Sequence, residues 1–101
     1  MKIPTKFKAV NLEWSVVDMP QEIADNNSAW GITYYDNARI EIRVDLNTSQ
    51  REHTIFHELL HVIFNALGRD DLNKDEALLD AISGVQHQIE QTKRGNLHGK
   101  K

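Results

Sequence analysis

The chain has 101 residues, no cysteine, 40% hydrophobic and 27% charged residues, and a net charge of −3. That describes one soluble globular domain with a modest core, too apolar for disorder and without disulfide or thiolate chemistry. The acidic balance argues against general nucleic-acid binding, and no segment is apolar for long enough to span a membrane.

Lys2, Lys6 and Lys8 open the chain with no apolar run behind them. No signal peptide is therefore expected, and cytoplasmic residence is the working expectation. Trp14, Val16 and Val17 mark a short strand or irregular segment ending near Pro20. Asp25-Asn26-Asn27-Ser28 is a loop signal. Gly31-Ile32-Thr33-Tyr34-Tyr35 and the run from Arg39 to Val44 flank Asp36-Asn37-Ala38. In the second run Ile40, Ile42 and Val44 alternate with Glu41, Arg43 and Asp45. The pattern predicts a β-hairpin with a half-buried second strand.

A helix is expected next. Ser49 and Glu52 fit a capping box, the helix should run from about Gln50 to Leu67, and Gly68 is a natural stop. Asp70-Asp71-Leu72-Asn73 reads as the connection. A second helix should run from about Lys74 to Lys93 and end at Gly95. The expected architecture is an α+β domain over residues 1–95, a hairpin or short antiparallel sheet followed by two helices. Residues 96–101, with Lys100 and Lys101, are expected to form a flexible basic tail.

The chemistry concentrates in His57-Glu58-Leu59-Leu60-His61. Histidines four apart project from one face of a helix and can share one zinc ion. Glu58, about a quarter-turn away, is poorly placed as a ligand but well placed to take a proton from water at the metal. Apolar neighbours from Ile55 to Phe64 predict a buried central helix, in which two histidines and a glutamate need a partner. In the second helix Glu76, Asp80 and His87 share one stripe, opposite Leu78, Ile82, Val85 and Ile89. His53 extends the stripe of His57 and reads as a rim residue. Tyr34 and Tyr35 can reach the site from the hairpin or serve packing. Trp14 and Trp30 read as core or lid aromatics, and His98 falls in the tail.

His57-Glu58-Leu59-Leu60-His61 resembles the zincin signature. Leu67 stands where metzincins carry a third histidine, and the lack of cysteine sets the chain apart from peptide deformylase. Glu76-Ala77-Leu78-Leu79-Asp80 resembles the Glu-x-x-x-Asp element of gluzincins. That resemblance implies a zinc metallopeptidase with His57, His61 and Glu76 on the metal and Glu58 as general base. It also implies that Asp80 orients a ligand histidine, and that an edge strand of the hairpin pairs with an extended peptide or protein substrate. A plainer alternative makes Glu76 the partner of Asn73 in a capping box, which would leave Asp80 as the third ligand. His87 is a candidate oxyanion donor or simply a partly exposed helix histidine. The small size is similar to domains of the ImmA/IrrE type found in phage and mobile-element proteins, although the gap from His61 to Glu76 is shorter here. A second functional class stays open: a non-catalytic zinc-binding regulatory or protein-interaction module on the same fold.

Overall fold

The computed structural model describes residues 5–9 and 11–98, with side chains as far as Arg94. In chain order these form β1 (Lys6–Ala9), β2 (Leu12–Asp18), α1 (Gln21–Asp25), β3 (Gly31–Tyr34), β4 (Arg39–Ile42), α2 (Thr48–Ala66), α3 (Asp70–Asn73) and α4 (Glu76–His98). The domain is α+β, built on a four-stranded sheet of order β1-β2-β4-β3.

The expected hairpin is present: β3 and β4 run antiparallel, with Gly31 opposite Ile42 and Tyr34 opposite Arg39. The sheet as a whole is mixed rather than antiparallel. The segment before Pro20 supplies two strands, and β2 pairs β4 in parallel, Val16 opposite Ile40. The crossover through α1 and β3 returns β4 beside β2 in the same direction, which an antiparallel hairpin alone would not do.

On the second face of β4, flanked by β2 and β3, Glu41 is covered although Val17 beside it is exposed. Ile40 and Ile42 are fully buried as expected, but Glu41 is buried too, 3.1 Å from Arg39 Nε. Val17 and Ile32, its neighbours on β2 and β3, stand beside it on that face. Val44 lies beyond the strand and is exposed.

The cap of α2 also differs from expectation. Asn47 Oδ1 accepts from Gln50 N–H at 2.8 Å, and Gln50 Oε1 accepts from Asn47 N–H at 3.1 Å. Ser49 therefore sits inside the first turn. Glu52 instead accepts two bonds from Arg94, at 2.6 and 2.8 Å. At the other end Gly68 takes φ 69°, and Arg69 N–H closes back to Phe64 O at 2.9 Å, so the glycine stop is as read.

Ile55 and Val62 of α2 pack with Trp14, Val16, Ile40 and Ile42, and Leu59 rests on this cluster. Burial fades at the C-terminal end of α2, where Ile63 and Leu67 are exposed. The second helix starts at Glu76 rather than Lys74, with Asp75 Oδ1 accepting from Leu78 N–H at 3.1 Å as its cap. The Asp70–Asn73 connection is itself one helical turn. Contacts run from His61–Glu76 through His57–Asp80 to Glu52–Arg94, so α2 and α4 are antiparallel.

Leu79 and Ser83, both fully buried, fill the space between these helices. The polar stripe faces α2, where Glu76, Asp80 and His87 find partners, as does Arg94. On the opposite stripe Leu78 and Ile82 are half-buried, and Val85 and Ile89 are each 55% exposed. Helical backbone continues past Gly95 to His98, so the helix is longer than read; residues 99–101, including Lys100 and Lys101, lie outside the described residues. Among the described residues no helix is long and apolar enough to cross a membrane.

Candidate metal centre

The helical spacing of His57 and His61 brings both rings to the side of α2 between α4 and β3, with centroids 5.1 Å apart. Each ring is held at both nitrogens. His57 Nδ1 lies 3.0 Å from Asp80 Oδ1, and its Nε2 lies 2.9 Å from Glu76 Oε1. His61 Nδ1 lies 2.8 Å from Asn73 Oδ1, and its Nε2 lies 3.3 Å from Glu76 Oε2. The two Nε2 atoms therefore converge on one carboxylate, and the two Nδ1 atoms are held from behind by oxygens.

This pattern carries a chemical constraint. A neutral imidazole has one N–H. With Nδ1–H donated to Asp80 or to Asn73, each Nε2 presents a lone pair to the Glu76 carboxylate, which is also acceptor-only. Two lone pairs facing one anion repel unless positive charge lies between them. A proton on either ring meets that requirement, and so does a divalent cation with both rings neutral, as metal ligation demands. The separations fit as well: ligand atoms on a tetrahedral ion at 2.0–2.1 Å are about 3.3 Å apart. One ligand atom from each of His57, His61 and Glu76 lies within 4.8 Å of the others. Imidazole nitrogen and carboxylate oxygen are both ligands that zinc takes. The structure thus brings together the three candidate ligands read from sequence, with Asp80 behind His57. The capping alternative for Glu76 does not form, since Asp75 holds that place.

Glu58 is buried on the same side of α2, and Thr33 Oγ1 of β3 donates to its Oε1 at 2.5 Å. Burial pushes its carboxyl above the usual carboxylate range, opposed by the Thr33 bond and by His57 and His61. Close approach of β3 to α2 depends on Gly31, where a Cβ would meet Thr54 Cγ2 at 2.7 Å and Glu58 Cγ at 3.1 Å.

The residues surround a cleft of about 720 Å³. Trp30, Gly31, Ile32 and Thr33 form one wall, and His57, Glu58, His61, Glu76 and Asp80 the other. Trp30 is 45% exposed at the edge of the cleft, whereas Trp14 is core. His53 lines the cleft, with a buried Nε2 3.7 Å from Asp80 Oδ1.

The structure places the remaining polar residues as follows. His87 faces Glu52 Oε1 at 3.3 Å and stacks beside His53; it is not among the residues lining the cleft, so it is not placed as an oxyanion donor. Tyr34 lies under Arg39, whose guanidinium carbon is 5.0 Å from its ring, while Tyr35 lines the cleft. Asn73, read as connection or cap, is a partner of His61, and Thr33 is a partner of Glu58. Burial raises the Tyr35 phenol above its ordinary value, with Glu58, Glu76 and Asp70 adding to the rise and the Asn73 bond opposing it.

Comparison with protein-family models, curated proteins and solved structures gives no match. The site is read on its own geometry.

Proposed function

We propose that the chain is a zinc-dependent peptidase of gluzincin type, similar in scale to ImmA/IrrE-like domains of phage and mobile elements. The observation that carries this reading is the convergence of His57 Nε2 and His61 Nε2 on Glu76, with both Nδ1 atoms engaged from behind. His57, His61 and Glu76 would hold the ion, and Asp80 and Asn73 would fix the two rings. Zinc bound there supplies a Lewis acid for the scissile carbonyl and lowers the pKa of water toward about 7.

The rest of the reaction falls to the protein. Thr33 holds Glu58 in place on the cleft floor. Glu58 takes a proton from the attacking water as the new C–O bond forms. It then gives that proton to the amine nitrogen as the C–N bond breaks. The substrate reading rests on β3: among the described residues it has a strand on one side only, and it forms a cleft wall. An extended peptide can add to that free edge and cross the site.

Glu58→Gln tests the proposal, because it removes the base and keeps every ligand. Zinc content and Tm should stay near wild type. Cleavage of a proteome-derived peptide library should fall by about 10²–10⁴-fold. Cleavage undiminished in zinc-loaded Glu58→Gln would refute general-base hydrolysis here. A wild type that binds zinc and cleaves nothing would favour a zinc-binding interaction module.

A further inference from the structure

α4 is built the reverse of an ordinary surface helix, which turns charge to water and apolar residues to the core. Its inward face is polar: Glu76, Asp80, His87 and Arg94 meet α2. Its outward face carries Leu78, Ile82, Val85 and Ile89. Val85 and Ile89 are each 55% exposed, and Leu78 and Ile82 are half-buried. The flanking Ala81, Gln86 and Gln88 are exposed and uncharged. The carboxylates of Asp80 and Glu90 do not interrupt the stripe, since Asp80 turns to His57 and the Glu90 side chain is 12% exposed. From Leu78 to Ile89, about 17 Å of helix thus presents an apolar face without a charge.

The spacing of the stripe decides what fits it. Steps of four, three and four residues are those of a heptad seam, which takes a second helix. They also read the same in both directions about a point between Ile82 and Val85. A two-fold axis through that point lays the same stripe of a second copy antiparallel on the first. Ile82 then meets Val85 of the second copy, and Leu78 meets its Ile89, so every apolar residue of the stripe is matched. The ends agree in charge. Asp75, exposed and one step before Leu78 on the stripe, comes beside Lys93 of the second copy, a residue whose side chain is 65% exposed. A parallel pairing would instead set Asp75 against Asp75.

We propose that two copies of the chain pair through the outward stripes of α4, antiparallel about a two-fold axis. Nothing in this pairing depends on the peptidase reading, and no residue of the stripe lines the cleft. Four apolar residues from each copy make a seam at the small end of specific interfaces. The dimer is accordingly weak, with a dissociation constant on the order of 10 μM.

Sedimentation equilibrium of the full chain from about 1 to about 500 μM should show a reversible monomer–dimer equilibrium. Val85→Glu places a carboxylate in the middle of the seam, at an exposed position where glutamate suits a helix. It should weaken dimerisation by at least about tenfold, while zinc uptake and the Tm of the dilute monomer stay at wild type. Ile89→Lys should do the same from the other end of the stripe. The chain has no cysteine, so single cysteines can report the orientation. Oxidised alone, Leu78→Cys and Ile89→Cys should each give little linked dimer; mixed, they should join through a disulfide between positions 78 and 89.

A chain that stays monomeric throughout that concentration range overturns the proposal and leaves the stripe to a different protein. A dimer that neither Val85→Glu nor Ile89→Lys weakens overturns it by moving the contact off α4. Linked dimer formed as readily by Leu78→Cys alone as by the mixture overturns it by making the pairing parallel.

Discussion

Glu76 and Asp80 are both exposed carboxylates on α4, one turn apart, and both meet His57. What separates them is the nitrogen each one faces. Glu76 faces the two convergent Nε2 atoms, where an ion would sit, and Asp80 faces the rear Nδ1 of His57 alone. Glu76→Gln should therefore cost more than about 100-fold in zinc affinity, and Asp80→Asn only about 10–100-fold. A chelator-competition titration of both variants checks the order; the reverse order would make Asp80 the ligand. The helical stability of Glu76→Gln should be little changed, because Asp75 caps α4. This part of the site was largely legible in the sequence. His57 and His61 are one helical turn apart, so their common face, with Glu58 about a quarter-turn away, follows from local geometry. Asn73 and Thr33 were not legible. Their roles depend on α3 and β3 folding against α2, and no periodicity records that.

At the scale of elements, the two helices were foreseen and their starts were not. Asn47 with Gln50 and Ser49 with Glu52 both carry the spacing of a capping box. The choice is made by a residue far along the chain, because Arg94 of α4 engages Glu52 and leaves Asn47 to close the helix. Asn47→Ala should destabilise the domain by about 1 kcal/mol, and Ser49→Ala by a few tenths at most. Urea denaturation of the two variants checks this, and equal losses would return the cap to Ser49. The face of α4 that meets α2 is the one its polar stripe marks: Glu76, Asp80 and His87 meet histidines and a glutamate there, and on the opposite stripe Val85 and Ile89 are exposed. Polar contacts with α2 decide the rotation of this helix, assisted by Leu79 and Ser83 in the seam.

For the whole molecule, the α+β class followed from element order, but the parallel pairing of β2 with β4 did not. That pairing joins residues 15–18 to residues 39–42 across α1 and β3, and alternation alone cannot specify it. The far ends of α2 and α4 are joined by Glu52 and Arg94, and the Arg94 bond holds the Glu52 carboxyl below the usual carboxylate range. A lowered folded-state pKa contributes stability that is present above the unfolded value of about 4.3 and is lost as pH falls through the lowered one. Arg94→Gln should accordingly lower Tm at neutral pH, and the gap to wild type should close in acid. A gap independent of pH would assign the effect to packing of the arginine stem. At the opposite end of the same helix pair lies the centre on which the functional account depends. Its most direct test is a calorimetric titration of metal-free wild type and His57→Ala with zinc. Wild type should take up about one equivalent, with a higher Tm when loaded, and uptake by His57→Ala should be strongly weakened. No uptake by wild type, or equal uptake by both proteins, would contradict it.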